Sequence, residues 1–342
     1  MENTKIKKIC FYVRSITNDI LNTNDFYSND IRIFRELGHK VIIASNYRNV
    51  PKNCDLYFIW WWTSGIVPLI YSKFLRKPSI MIGNLHYSDP SISGYKSKPL
   101  YNKLFIRLCL KYSNMQLATS MFEYDEIMKF RPRNLRMIYH GLDLKKFVYN
   151  SYEKREKILF TLTNLKKNNV SRKCIREIID AFIIIKKKYP EYKLFIAGDT
   201  EDDGYPDVYK KVIELNLIGN VIFMGRISDK EKIEMYQKCK MYVQPSFFEG
   251  FGLAIAEGMA CGAPIVTSKR SAIPEVVGEF ASFAEPDDIP GIANAIFKII
   301  ENDNYSEKLS LHGRERIEEL YSLERRKAEI KKILDEIFVP KL

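Results

Sequence analysis

The sequence predicts an α/β protein with two parallel sheets, and three observations predict it. Short apolar runs of strand type recur along the 342 residues. Stretches with helical spacing separate them, and the alternation restarts after a polar, charged stretch near the middle of the chain. A chain of this length supports two domains, each with its own core.

In the first half, Lys8 to Val13 reads as a strand, Asn24 to Leu37 as a helix closed by Gly38, and Lys40 to Ser45 as a second strand. Asp55 to Trp62, Ser79 to Leu85, Met115 to Ser120 and Arg136 to Tyr139 continue the series, with helical stretches between them. A parallel sheet covered on both faces has this pattern. Val148 to Lys157 reads as a linker. Beyond it, Ile158 to Leu162, Leu194 to Ala197 and Val221 to Met224 open a second alternation, and Leu323 to Ile337 is a last helix.

Composition narrows the function. A hydrophobic content of 46%, with 13% aromatic residues, excludes a disordered chain. No apolar run reaches membrane-spanning length, and the start MENTKIKKICFYV passes from charges into a strand without a small-residue cleavage site. A cytoplasmic protein is expected. Cys10, Cys54, Cys109, Cys174, Cys239 and Cys261 are scattered, so reduced, buried thiols are expected. The four histidines lie far apart and no Asp-x-Asp occurs, so neither a metal nor a cofactor is predicted. A Walker loop and a G-x-G-x-x-G fingerprint are both missing from the sequence, which argues against an ATPase or a nicotinamide enzyme. The formal charge of +12 resides entirely in residues 1–150, with 23 basic and 11 acidic residues against 31 of each in the remainder. An acidic partner would therefore meet the first half.

The densest chemistry lies in PSFFEGFGLAIAEGMACGAPIVTSK, Pro245 to Lys269. Met241 to Pro245 and Ala263 to Ser268 read as strands around a loop and a helix, Leu253 to Ala260. Gly250 and Gly252 leave the backbone bare where that helix begins, and a helix N-terminus offers free N–H groups and positive dipole to a phosphate. Glu249 and Glu257 frame this seat. A carboxylate beside a phosphate suits hydroxyl pairs, so the set points to sugars on both sides of a pyrophosphate, the layout of a nucleotide-sugar.

The run EGFGLAIAE, followed by GMACGAPIV and IPEVVG, resembles the E-x7-E element of retaining glycosyltransferases of family 4. The resemblance implies that Glu249 contacts the transferred sugar, that the backbone of Gly250, Phe251, Gly252 and Leu253 meets sugar and diphosphate, and that Glu257 holds the ribose hydroxyls. It implies the GT-B fold, two Rossmann-like domains with parallel sheets facing across a cleft. Residues 1–150 are then the acceptor-binding domain and 151–320 the donor domain. The segment 321–342 either crosses back to the first domain or ends the chain as an ordinary helix. IYHGLDLKKF, Ile138 to Phe147, resembles the end of the family's first domain.

Lys173 stands where the family has the lysine of a Lys-Gly pair that contacts diphosphate, with Cys174 in place of the glycine. Asn164 occupies the place of the companion arginine, and Arg172 is the candidate to replace it in the loop between strand and helix. His86, at a strand end, matches a histidine that reaches the transferred sugar, whereas His140 is assigned to packing or a turn. The implied activity is metal-independent, retaining transfer from a UDP- or GDP-sugar to a hydroxyl of a glycan or glycolipid. A nucleotide-sugar epimerase or phosphorylase, and a non-enzymatic polyanion binder, are the rival readings.

Two features stand outside that set. Trp60, Trp61 and Trp62 end a strand, with core packing as the default and acceptor stacking as the alternative. In Leu100 to Tyr112, Leu100, Leu104 and Leu108 repeat every four residues, as do Lys103, Arg107 and Lys111, and no acid occurs from Pro90 to Phe122. The leucines are expected to pack on the sheet and the cations of residues 96–112 to stay solvated or meet an anionic membrane or lipid-pyrophosphate acceptor. No nucleic-acid motif accompanies the charge.

Overall fold

The computed structural model describes residues 6–17, 25–87, 94–152 and 155–338. The chain divides into two compact units, Met1–Gly141 together with Leu323–Leu342, and Leu142–Ser322.

In the first unit, β1 (Lys8–Tyr12), β2 (Lys40–Ala44), β3 (Leu56–Trp60), β4 (Ser79–Ile82), β5 (Met115–Ala118) and β6 (Leu135–Met137) form a parallel sheet in the order β2-β1-β3-β4-β5-β6. The connecting helices are α1 (Asp25–Glu36), α2 (Ile66–Phe74), α3 (Leu100–Tyr112) and α4 (Met121–Met128). Strands β3 (LYFIW) and β4 (SIMI) are buried along their whole length, as strands covered on both faces must be. β3 stops before its expected end because Trp61 turns into the left-handed region, at φ 76°. Trp60 and Trp62 are buried, and Trp62 Nε1 donates to Gln116 Oε1 at 2.7 Å. Trp61 Nε1 donates to the Tyr27 hydroxyl at 2.7 Å. His140 is buried with its ring stacked on Trp60, and desolvation pushes its pKa well below the usual imidazole range.

Helix α3 corrects one expectation. It buries Ile106, Cys109 and Leu110 among Tyr57, Ile59 and Met81, while Leu100 is 83% and Leu104 54% exposed. The helix carries apolar residues on two faces, and the sheet accepts the one opposite the leucine row.

In the second unit, β7 (Glu156–Leu162), β8 (Lys193–Ala197), β9 (Val221–Gly225), β10 (Cys239–Gln244), β11 (Ile265–Thr267) and β12 (Ser282–Phe283) form a parallel sheet in the order β12-β11-β10-β7-β8-β9. Its helices are α5 (Lys167–Arg172), α6 (Ile175–Lys188), α7 (Tyr205–Glu214), α8 (Asp229–Lys238), α9 (Leu253–Ala260), α10 (Ile273–Val277), α11 (Ile289–Glu301) and α12 (Asp303–Leu320). α5 replaces the loop expected there. Its first N–H is capped by Asp203 Oδ1 at 3.0 Å, a partner 36 residues away. The stretch expected as a linker, Val148 to Lys157, lies inside this unit, and residues 153–154 fall outside the described residues. Arg155 anchors it, donating to the carbonyls of Tyr236, Cys239, Asn150 and Cys261 at 2.6–3.0 Å. Arg314 Nη1 donates to Phe147 O and Ala260 O, both at 2.6 Å.

Helix α13 (Leu323–Phe338) belongs to the first unit, and residues 339–342 of the predicted terminal segment lie outside the described residues. Its Ile330, Ile333 and Leu334 join the core of Phe11 and Phe58. Arg326 holds Asp30 through two bonds, at 2.7 and 3.1 Å, and also donates to Tyr139 O at 2.6 Å. Both side chains of the pair are buried, whereas the neighbouring Lys327–Glu36 pair is about one-third exposed. All six cysteines are free and buried. Among the described residues no helix is long and apolar enough to cross a membrane.

Removing one member of a buried pair strands the other charge. Arg326→Met should lower unfolding free energy by about 3–5 kcal/mol. Lys327→Met should cost no more than about 1 kcal/mol. Urea denaturation of the two variants checks this; similar losses would show that Arg326 does not hold the helix as described.

Candidate functional site

The order of the second sheet places its two earliest-diverging connections on either side of β7 and β10. From β7 the chain runs outward through β8 and β9, then crosses back to β10 and runs outward the other way. A crevice opens at the carboxyl ends of such adjacent strands, and ligands of open α/β sheets bind there.

Lys173 fills that crevice. After α5 the chain turns through Cys174, at φ 57°, where a glycine would be unstrained, and the turn sends the lysine inward. Lys173 Nζ donates to Leu162 O, the last residue of β7, at 3.0 Å, and to Gln244 Oε1, the last residue of β10, at 3.2 Å. Gln244 Nε2 in turn donates to Glu249 Oε1 at 2.8 Å, and Ser246 Oγ donates to the same oxygen at 3.0 Å. Arg172 Nη1 lies 2.6 Å from Glu249 Oε1 and donates to Phe248 O at 2.7 Å. The Glu249 N–H donates to Ser271 Oγ at 2.8 Å. Lys173, Arg172 and Glu249 are thus one cluster. Burial is the largest influence on Lys173 and pulls its pKa down to about 8; Glu249 opposes that shift and Arg172 adds to it.

The glycine loop follows. Gly250, Phe251 and Gly252 are buried, and Gly252, at φ 100°, occupies the cap position from which α9 starts at Leu253. The helix bounds match those predicted because both ends are set locally. At the far end Gly262, at φ 76°, donates to Met259 O at 2.9 Å and Ala263 N–H donates to Gly258 O at 2.9 Å, a complete Schellman motif. Glu257 lies on α9 and is 6% exposed. Lys232 Nζ approaches it to 3.1 Å and the Tyr236 hydroxyl donates to it at 3.3 Å, both from α8.

Next to Lys173 is a cavity of about 420 Å³, lined by Thr163, Asn164, Asp199, Asp202 and Arg226 among others. Arg226 pairs with Asp199 at 2.8 Å. Asn164 is exposed and its side chain accepts from Asn169. His86 lies in the first unit after β4, half-buried beside Phe122. Among the described residues no three His, Cys, Asp or Glu side chains come together as a metal-ligand set.

Sequence reasoning missed Gln244, Lys232, Tyr236 and the Asp199–Arg226 pair. Gln244 carried a usable signal, a polar residue closing the apolar strand MYVQ. The others are set by contacts between elements distant in sequence.

Chemically, Lys173 and Arg172 bring two cations together beside Glu249, and the glycine loop leads from Glu249 into the N-terminus of α9, groups of the kind that bind phosphate and hydroxyls. An anion favours the charged form of Lys173. Nucleoside diphosphate affinity should therefore fall about tenfold per pH unit above pH 8, until the pKa of the bound state is reached. Calorimetric titration from pH 6.5 to 9.5 measures this, and a flat profile would remove Lys173 from the anion site. Gly252→Ala must adopt a left-handed backbone that costs roughly 1–3 kcal/mol. Reduced nucleotide affinity is expected of it as the loop shifts.

A model of the family described as "Glycosyl transferases group 1" matches residues 143–316. The chain is similar to O-antigen chain mannosyltransferase B of Escherichia coli, 32% identical over 145 residues, which are 42% of this chain and 37% of that protein. That match thus spans little more than a third of the relative's own length. Among solved structures, sucrose-phosphate synthase from Thermosynechococcus elongatus superposes with a TM-score of 0.81 at 18% identity, covering 97% of this chain and 99% of that one. Anabaena HepE, solved in complex with UDP and glucose, superposes with a TM-score of 0.76 at 18% identity, covering 96% and 100%. These likenesses show the fold, GT-B, with its two parallel six-stranded sheets.

Proposed function

Because the chain belongs to the glycosyl transferases group 1 family, we propose that it is a retaining glycosyltransferase that takes a UDP- or GDP-sugar and glycosylates a hydroxyl of a glycan or lipid-linked acceptor without a metal. The observation that carries this reading is Lys173, with Arg172 and Glu249, at the crevice between β7 and β10, beside the start of α9.

In the proposed reaction the bond from the anomeric carbon to the diphosphate oxygen breaks as the acceptor oxygen bonds to that carbon from the same face. The acceptor proton passes to the departing diphosphate oxygen, so no side-chain base is required. Negative charge grows on the diphosphate, where Lys173, Arg172 and the N–H groups of α9 stabilise it. Glu249 positions the sugar and Glu257 the ribose diol. In the free protein Lys232 and Tyr236 hold Glu257, so its carboxylate is ordered before a ligand arrives. Mannosyl transfer by the Escherichia coli relative and the UDP complex of HepE support the donor class from two directions. A lipid-linked acceptor would place the protein on the cytoplasmic side of an anionic membrane.

Thermal unfolding with UDP, GDP, ADP and dTDP tests the donor site. One nucleotide at a hundred times its dissociation constant should add about 2.7 kcal/mol, a rise of several degrees. Glu257→Ala should lose that rise. If no nucleotide stabilises the wild type while heparin does, the polyanion reading takes its place. Conversion of the donor sugar without any acceptor would instead identify an epimerase.

A further inference from the structure

Helix α3 turns Leu100 and Leu104 outward. Leu100 is 83%, Tyr101 60%, Leu104 54% and Tyr112 48% exposed, while Ile106, Cys109 and Leu110 fix the opposite face to the first unit. Helix α2 packs beside α3 and exposes Ile70 and Phe74, the latter at 84%. Single exposed leucines are ordinary, but neighbouring aliphatic and aromatic side chains on one rigid surface helix mark a contact surface.

The charges around this face have one sign. Lys96, Lys98, Lys103, Arg107 and Lys111 lie on α3 or just ahead of it, and the sequence has no acid from Pro90 to Phe122. Among the described residues none of the five has a carboxylate within ion-pair distance. Lys103 and Arg107 rest against the Tyr95 ring, and the Arg107 Nε–H donates to the Tyr95 hydroxyl at 2.7 Å. These cations are held in place without being neutralised. The nearest acid that follows, Glu123, is buried and occupied by Thr119 and the Leu85 N–H.

We propose that the outward face of α3 docks on an anionic bilayer, with Leu100, Tyr101 and Leu104 entering the headgroup boundary and the surrounding lysines and Arg107 meeting lipid phosphates. This deepens the membrane placement given above, on which it rests. Apolar side chains among unneutralised cations on a helix anchored along its other side fit an interfacial helix lying in the membrane plane. A soluble polyanion would use the cations and leave the leucines in water. A protein partner, including a second copy of this chain, would use both, and would leave the wild type unbound to vesicles.

The experiment is co-sedimentation of the full chain with phosphatidylcholine vesicles, with and without phosphatidylglycerol. Binding to the anionic vesicles only is expected. Leu100→Ser/Leu104→Ser should weaken it by about tenfold or more for each leucine, and Lys96→Gln/Lys111→Gln by roughly fivefold or more for each charge removed. These side chains are exposed, so the variants should keep the wild-type melting temperature. Retained vesicle binding by the leucine variant, with binding abolished by salt or heparin, would overturn insertion in favour of a polyanion surface. A wild-type oligomer that the leucine variant dissociates, with no vesicle binding by either, would overturn it in favour of a protein interface. Nucleotide stabilisation measured on the same samples should be unchanged. Loss of the donor reading would appear there, and loss of the membrane reading only in the pellet.

Discussion

A buried ammonium organises the edge of the second sheet. Lys173 sits where β7 and β10 end side by side, and an amine removed from water requires oxygen partners on several sides. Leu162 O and Gln244 Oε1 supply them, and each then constrains its neighbours. Gln244 can accept from the lysine only with its carboxamide turned so that Nε2 points at Glu249. Glu249 is thereby held against Arg172, whose own backbone carbonyl accepts from the Phe247 N–H. The glycine loop is tied to its flanking helix and to the sheet by this one sequence of contacts.

The charge count of the cluster follows. Arg172 balances Glu249, Lys232 balances Glu257, and Lys173 is left as the surplus cation at a pKa near 8. At neutral pH Lys173 is therefore still mainly charged, but far closer to its titration than a solvated lysine. An anion in the crevice would relieve the cost of burial that the protein alone offsets in part. The same surplus would be a liability in a purely structural cluster, where two carbonyls could be bridged by a neutral amide without burying a charge.

What was legible in the sequence was what is decided within a few residues. The bounds of α9 could be read because Gly252 starts it and Gly262 closes it, each at a backbone angle that other residues avoid. Glu249 and Glu257 stood out through the resemblance of EGFGLAIAE to a family motif, which their spacing alone would not have supplied. Helix α5 was not legible, because its polar sequence has no period and its cap comes from Asp203. Nor was the outward face of α3, where two apolar rows compete and the sheet decides between them. Gln244, Lys232 and Arg226 depend on which strands and helices become neighbours, and that is a property of the sheet order.

The arginines that fasten carbonyls in the second unit bear on electrostatics as well as stability. Arg314 donates to Ala260 O and Arg155 to Cys261 O, so two guanidinium groups lie on the last carbonyls of α9. An eight-residue helix separates its poles by only about 12 Å. For a charge about 4 Å beyond the N-terminus, the far pole would cancel roughly a quarter of the near pole's potential. With that far pole more than neutralised, the helix acts on whatever sits before Gly252 as a positive monopole, and its reach into the site falls off with distance rather than with distance squared.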